Sequence, residues 1–170
     1  MTVLSALGAV TLAFLVLFWL SPIGVPTLRR LGEGKPSPDL TFGYGPDDTY
    51  RLLEVYGQRD ITHWRRLLLL DMIFPGVYGA LLALLASRWA IWVDAGPAWR
   101  AAAITCPIIS AAADYFENIL LLRVIASVPK KIPFAVTAAS AFTRIKFTFF
   151  VAAPVIPSVH WGLTQLSRLV

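Results

Sequence analysis

The sequence is poor in the side chains that build disulfide and metal sites. It contains one cysteine, Cys106, and two histidines, His63 and His160, which lie far apart in the chain. A single cysteine excludes an intrachain disulfide framework, and no zinc-site spacing is present. P-loop, GxSxG, HExxH and CxxC motifs are also absent. The sequence therefore predicts no metal site and indicates no particular cofactor.

Charge is scarce as well. Charged residues make up 15% of the 170 residues, hydrophobic residues make up 57%, and the mean hydropathy is +0.67. Soluble domains average about 45–50% apolar residues. The excess is concentrated in four long blocks, which predicts an all-α, polytopic integral membrane protein with four transmembrane helices in one bundle. We expect one domain over residues 1–170, with helices at about 3–22, 67–87, 101–123 and 134–166.

Two of these helices allow alternative interpretations. The block Val3–Leu20 lacks the basic segment that precedes a secretory signal, so we interpret it as a retained helix, with cleavage as the alternative. The fourth helix can span the membrane from about Phe134 to Val155, which places Arg144 and Lys146 deep. It can also begin near Phe147 and leave both cations at the interface.

The only long polar segment is the loop of residues 29–66. Within it, the run from Pro46 to Tyr56 predicts a helix that Gly57 ends. Its partly apolar face suits a helix at the membrane surface or a lid on the bundle, and a solvated connector is the alternative. Interfacial positions are the usual explanation for tyrosines such as Tyr44, Tyr50 and Tyr56.

The basic residues predict the orientation in the membrane. Because positively charged residues remain in the cytoplasm, the more basic side should be cytoplasmic and both termini should lie outside. The net charge of +5 then reflects topology and anionic lipid, not nucleic acid. We expect membrane lipids as partners, with other membrane subunits or self-association as further candidates. Ten basic residues fall on one side (Arg29, Arg30, Lys35, Arg51, Arg59, Arg65, Arg66, Arg123, Lys130 and Lys131) and three on the other (Arg88, Arg100 and Arg168).

Polar side chains inside the third block form the candidate site. Asp114, Glu117 and Asn118 share one helical face because they are spaced i, i+3 and i+4. A hairpin that turns near residues 129–130 brings residues 143–146 to the same depth. Ionisable groups within membrane spans usually mark a site. Arg144 and Lys146 point to opposite sides of one helix, so we expect Lys146 to enter the cluster. The candidate ligand-binding residues are Asp71, Asp114, Glu117, Asn118, Thr143, Arg144 and Lys146.

Three functions fit this pattern. The preferred one is binding of a lipid or small molecule in a polar cleft on the cytoplasmic side. The second is a membrane-embedded enzyme in which Asp114 or Glu117 acts as general acid or base on a lipid-like substrate. The third is an accessory subunit that docks through the small residues Gly76, Ala80 and Ala83. A salt-bridge network that only sets helix register is the structural alternative to a site.

Two short motifs carry a resemblance to a known group of proteins. These are Asp71-Met72-Ile73-Phe74-Pro75 and Asp114-Tyr115-Phe116-Glu117-Asn118, accompanied by the pairs Tyr44-Gly45 and Tyr56-Gly57. With them the chain resembles small, uncharacterised bacterial four-helix integral membrane proteins. The resemblance implies a four-helix fold in the bacterial inner membrane. It implies no activity, cofactor or catalytic residue.

Overall fold

The computed structural model describes residues 2–167, apart from the side chain of Arg59, and all regular structure in this part of the chain is helical. The all-α prediction is therefore confirmed. A short 3₁₀ turn, Pro38–Leu40, interrupts the connection between the second and third helices. The α-helices are α1 (Val3–Leu20), α2 (Val25–Leu31), α3 (Pro46–Asp71), α4 (Phe74–Trp92), α5 (Pro97–Ser127) and α6 (Pro133–Ser167).

Three helical segments are long and apolar enough to cross a membrane. They cover residues 3–31, 60–92 and 133–167. The predicted helices 3–22 and 67–87 lie inside the first two segments, and 134–166 lies inside the third. The predicted helix 101–123 lies inside α5, which is not among the three. Its polar residues Asp114, Glu117 and Asn118 lower its hydropathy and are all buried.

The predicted loop 29–66 is largely helical. Most of its second half belongs to α3, which continues to Asp71. Gly57 has a left-handed φ of 60° and breaks α3 into two parts, because only glycine adopts this conformation at little cost. The predicted helix 67–87 is divided between α3 and α4 near Pro75, which has no N–H to donate to the carbonyl of Asp71.

The first part of α3 packs against the bundle. Tyr50, Leu53 and Tyr56 are buried and share a hydrophobic core with residues of α5 and α6. The phenol oxygen of Tyr50 also accepts a hydrogen bond from the backbone N–H of Ile132, in the turn that joins α5 and α6. The interpretation as a solvated connector is therefore wrong, because this part of α3 has a buried apolar face.

The fourth predicted span is one continuous helix. α6 runs without interruption from Pro133 to Ser167 and includes Pro154 and Pro157. Both alternative spans, which began near Phe134 or near Phe147, are thus parts of the same helix. α6 packs along α5 in an antiparallel hairpin, and this pairing is the most extensive in the described part of the chain.

The helices that pack together differ in length. α1 and α4 have 18 and 19 residues, which corresponds to lengths of about 27 and 28 Å. α5 and α6 have 31 and 35 residues and are much longer. A short turn at residues 93–96 joins α4 to α5. Because α5 is the longer helix and runs back along α4, its last residues extend past the first residue of α4. There α5 and α6 pack on α3 around the buried side chain of Trp64.

Candidate functional site

Lys146 lies at the centre of a buried group of charged and polar side chains. Its Nζ atom is 3.2 Å from Asp114 Oδ1 and 2.6 Å from Glu117 Oε2. The exposed fractions of the Lys146, Asp114 and Glu117 side chains are 12%, 7% and 0%. We call this group, with Asp71, Asn118 and Thr143, the buried ion cluster. Its register follows from the i, i+3 spacing on α5 and the short hairpin to α6.

Hydroxyl groups donate hydrogen bonds to both carboxylates that pair with Lys146. The hydroxyl of Tyr78, on α4, donates to Asp114 Oδ2 over 3.0 Å. Glu117 Oε1 accepts from the hydroxyl of Thr143 and, over 3.3 Å, from the hydroxyl of Tyr44. Burial and the neighbouring Glu117 carboxylate raise the pKa of Tyr44 above its usual range, so Tyr44 keeps the proton that it donates.

Asp71 differs from the other two acids in the cluster. Its Oδ2 accepts a 2.8 Å hydrogen bond from the side-chain amide of Asn118. Among the side chains that the structure describes, Asp71 forms no ion pair. Asn118 is fully buried, and its Oδ1 atom has no hydrogen-bond partner. Asp71 and Asn118 therefore leave negative charge and acceptor capacity that the protein does not satisfy.

A segment before α3 covers the cluster from the side of the long loop. We call residues 37–45 the cover segment. The carbonyl of Asp39 accepts a 3.3 Å hydrogen bond from Lys146 Nζ, and Asp39 Oδ1 accepts one of 3.3 Å from the indole N–H of Trp64. The backbone N–H of Tyr44 donates to Ser140 Oγ over 3.0 Å. These bonds hold the cover segment on α6 and α3.

The structure brings together six of the seven sequence-predicted residues. Arg144 is the exception, because it is exposed and its guanidinium lies against Gly43, where an added Cβ would be 2.8 Å from Arg144 Nε. Arg144 is two residues from Lys146, and on a helix this spacing turns the two side chains to roughly opposite sides. Arg144 therefore lies outside the buried ion cluster that the other six residues form.

Sequence reasoning missed three residues that contact the cluster: Tyr44, Asp39 and Tyr78. Tyr44 was expected at an interface, yet it reaches Glu117, which is 73 positions away in the chain. The pair Tyr44-Gly45 was the signal that could have indicated it. Tyr78 lies one helical turn after Phe74, on the α4 face that meets α5 and α6, so its position relative to Pro75 could have indicated it as well.

A cavity of about 330 Å³ opens beside the cluster. Its polar end is formed by Asp39, Asp71, Asp114 and Lys146. Its walls come from α1 on one side and α6 on the other, with α4 between them. Most of the lining is apolar or aromatic, including Leu15, Phe18, Trp19, Trp64, Leu67, Leu68, Phe74, Leu81, Leu82, Phe147 and Phe150. The cavity is thus charged at one end and apolar along its length.

Other polar residues of the sequence take structural positions. Cys106 is buried and unpaired, and the ring of His160 packs on Trp99 with their centroids 5.2 Å apart. Within residues 2–167, no group of three or more His, Cys, Asp or Glu side chains is arranged to hold a metal ion. Comparison of the chain with models of protein families, with curated proteins and with solved structures gave no match. The function is therefore inferred from the geometry of this site.

Proposed function

We propose that this protein is a four-span integral membrane protein that binds an amphiphilic small molecule, such as a lipid, in the cavity between α1 and α6. The polar head of the ligand lies at the buried ion cluster on the cytoplasmic side, and its apolar part lies along α1 and α4. The observation that carries the proposal is the division of one cavity into a charged end and apolar walls.

The lengths of the helices support this placement in a bilayer. The hydrocarbon core is about 30 Å thick, which matches the lengths of α1 and α4. Large apolar side chains such as Leu12, Trp19, Leu85 and Trp92 are exposed on these helices, as is expected of residues that contact lipid. Asp71 ends α3, three residues before α4 begins at Phe74, so the cluster lies at the inner boundary of the hydrocarbon, where lipid head groups reside. The proposed membrane is the bacterial inner membrane, with both termini outside the cytoplasm.

The cavity has the size and composition of a small-molecule site. Its volume of about 330 Å³ lies at the lower end of the usual range for ligand pockets. Such pockets combine mostly apolar walls with a few polar groups that fix orientation. From Phe74 to Leu82 the cavity follows α4 for about 12 Å, a length that suits a single hydrocarbon chain better than a whole two-chain lipid.

The accessory-subunit alternative keeps an exposed docking surface on α4. Gly79 packs against Ala111 of α5, whereas Gly76 and Ala80 of the small-residue stripe are exposed. An enzyme that acts on a lipid-like substrate would use the same cavity and cluster. It differs from a binding protein only in turnover, which the experiment below can detect.

Native mass spectrometry of the gently solubilised protein tests the proposal. We expect the wild type to retain an amphiphile, and Leu82→Trp, which fills the cavity, to lose it. Leu163→Trp is the matched control, because Leu163 is 54% exposed on α6 and far from the cluster. Equal retention by both variants, or no bound molecule on the wild type, would contradict the proposal. A bound molecule that is converted would indicate the enzyme, and stoichiometric protein partners would indicate the accessory subunit.

A further inference from the structure

We infer that the head of the bound amphiphile is a primary ammonium group. This inference rests on the proposed function and deepens it. The structural basis is the excess of negative charge and of carboxylate acceptors at the polar end of the cavity.

The charges that face the polar end do not balance. Asp39, Asp71 and Asp114 line it, against one cation, Lys146. Lys146 is already shared between Asp114 and the buried Glu117. In the part of the chain with described side chains, neither Asp39 nor Asp71 forms an ion pair. An anionic head would add repulsion in a poorly solvated site, whereas a cationic head would compensate the charge of Asp71.

The hydrogen-bonding groups point to the same chemistry. The carboxylate of Asp71 lines the cavity and has one donor, the Asn118 amide, so it can accept further hydrogen bonds. Carboxylate and amide oxygens accept hydrogen bonds, and an ammonium group supplies donors. A phosphate or sulfate head would bring only further acceptors to these atoms. The cluster therefore favours a ligand that donates.

Aromatic rings lie at the polar end of the cavity. Trp64 and Tyr78 line the cavity and donate hydrogen bonds to Asp39 and Asp114, and the ring of Phe74 packs on that of Tyr78. The faces of aromatic rings attract cations. Carboxylates together with aromatic rings form a site for an alkyl ammonium ion, while the apolar walls below accept its hydrocarbon tail.

The test compares two probes that differ only in the head: dodecylammonium and dodecyl sulfate. Each is titrated into the wild-type protein in micelles of a neutral glycoside detergent, and binding is measured by native mass spectrometry and calorimetry. We expect the ammonium probe to bind at least about tenfold more tightly than the sulfate probe. Leu82→Trp should weaken both probes, because it removes the space for the tail.

A variant and its matched control test the role of Asp71. Asp71→Asn should lower the affinity for the ammonium probe by about tenfold and leave the sulfate probe no weaker. Asp48→Asn changes the net charge equally, but Asp48 is 76% exposed and distant from the cavity, so both affinities should stay unchanged. The comparison of probes on the wild type remains decisive if Asp71→Asn does not fold.

The outcomes separate this inference from the proposed function. Equal binding of the two probes, or tighter binding of the sulfate probe, would overturn the ammonium head and leave the amphiphile site intact. Equal effects of Asp71→Asn and Asp48→Asn on the ammonium probe would overturn the head as well. Binding of neither probe to the wild type would overturn the proposed function and this inference together.

Discussion

At the scale of single residues, Lys146 is the cation that neutralises both paired carboxylates of the cluster. It forms ion pairs with both Asp114 and Glu117 in a nearly dry environment. Breaking a buried ion pair by removing one partner is costly because the other charge stays buried. Removal of Lys146 leaves two unpaired carboxylates, whereas removal of the Asp114 charge leaves Lys146 paired with Glu117. The two substitutions should therefore have unequal effects.

Lys146→Met is expected to lower the free energy of unfolding by about 3–5 kcal/mol. Asp114→Asn should cost only about 1–2 kcal/mol, because an asparagine can still accept the hydrogen bond from Tyr78, yet it should abolish ligand retention. The double variant should recover part of the loss of Lys146→Met. Unfolding of the detergent-solubilised variants, with native mass spectrometry in parallel, measures both properties.

The exposed ion pair of Lys131 with Glu54 provides the control for this series. Its side chains are largely exposed, so Lys131→Met should change stability by less than about 1 kcal/mol. One outcome would contradict the interpretation of the cluster as a binding site. If both single variants lose stability equally, the double variant restores it, and bound molecules are unchanged throughout, the cluster only sets helix register.

At the scale of helices, the contact between α4 and α5 depends on a glycine. A Cβ added at Gly79 would lie 2.8 Å from the Cβ of Ala111 and 3.5 Å from the carbonyl oxygen of Pro107. The absence of a side chain lets the two helices approach closely, as small residues do in membrane helix pairs. This contact also positions Tyr78, the preceding residue of α4, beside Asp114.

Gly79→Ala is expected to destabilise the protein by about 1–3 kcal/mol, because the added methyl group separates α4 from α5. The effect opposes helix propensity, which favours alanine over glycine by about 1 kcal/mol. Gly8→Ala is the control, since no atom lies within 4 Å of an added Cβ at that position. Unfolding of both variants in the same detergent measures the difference. Equal stability of the two variants would show that the close approach is not required.

At the scale of the whole molecule, charge is distributed unevenly between the two ends of the bundle. The turn between α5 and α6 lies beside the first part of α3, as the 3.4 Å contact of Lys131 with Glu54 shows. Both segments carry basic residues, and the opposite end has fewer. Placed in a membrane, the end with α3 is therefore expected in the cytoplasm.

Reporter fusions test this orientation. A reporter fused after Val170 should behave as periplasmic, and one inserted after Lys130 should behave as cytoplasmic. Val170 and Arg168 lie outside the described residues, so this prediction depends on the sequence alone. A cytoplasmic signal at Val170, with the first helix retained, would show that the orientation or the number of spans is wrong.

Local patterns in the sequence determined the helical class, the apolar segments and the core of the cluster. The spacing of Asp114 and Glu117 and the length of the following hairpin place both acids at the level of Lys146, because helix periodicity and a short turn fix that register. The break of α3 at Gly57 has the same local origin.

Only the tertiary structure decided the remaining features of the site. Tyr44 meets Ser140 from 96 positions away, and Asp39 meets Lys146 from 107 positions away. The cavity needs α1 and α6 on opposite sides of α4. Such contacts depend on how whole helices pack. The periodicity of a single segment does not predict which distant segments come into contact, because those contacts form only when the chain has folded.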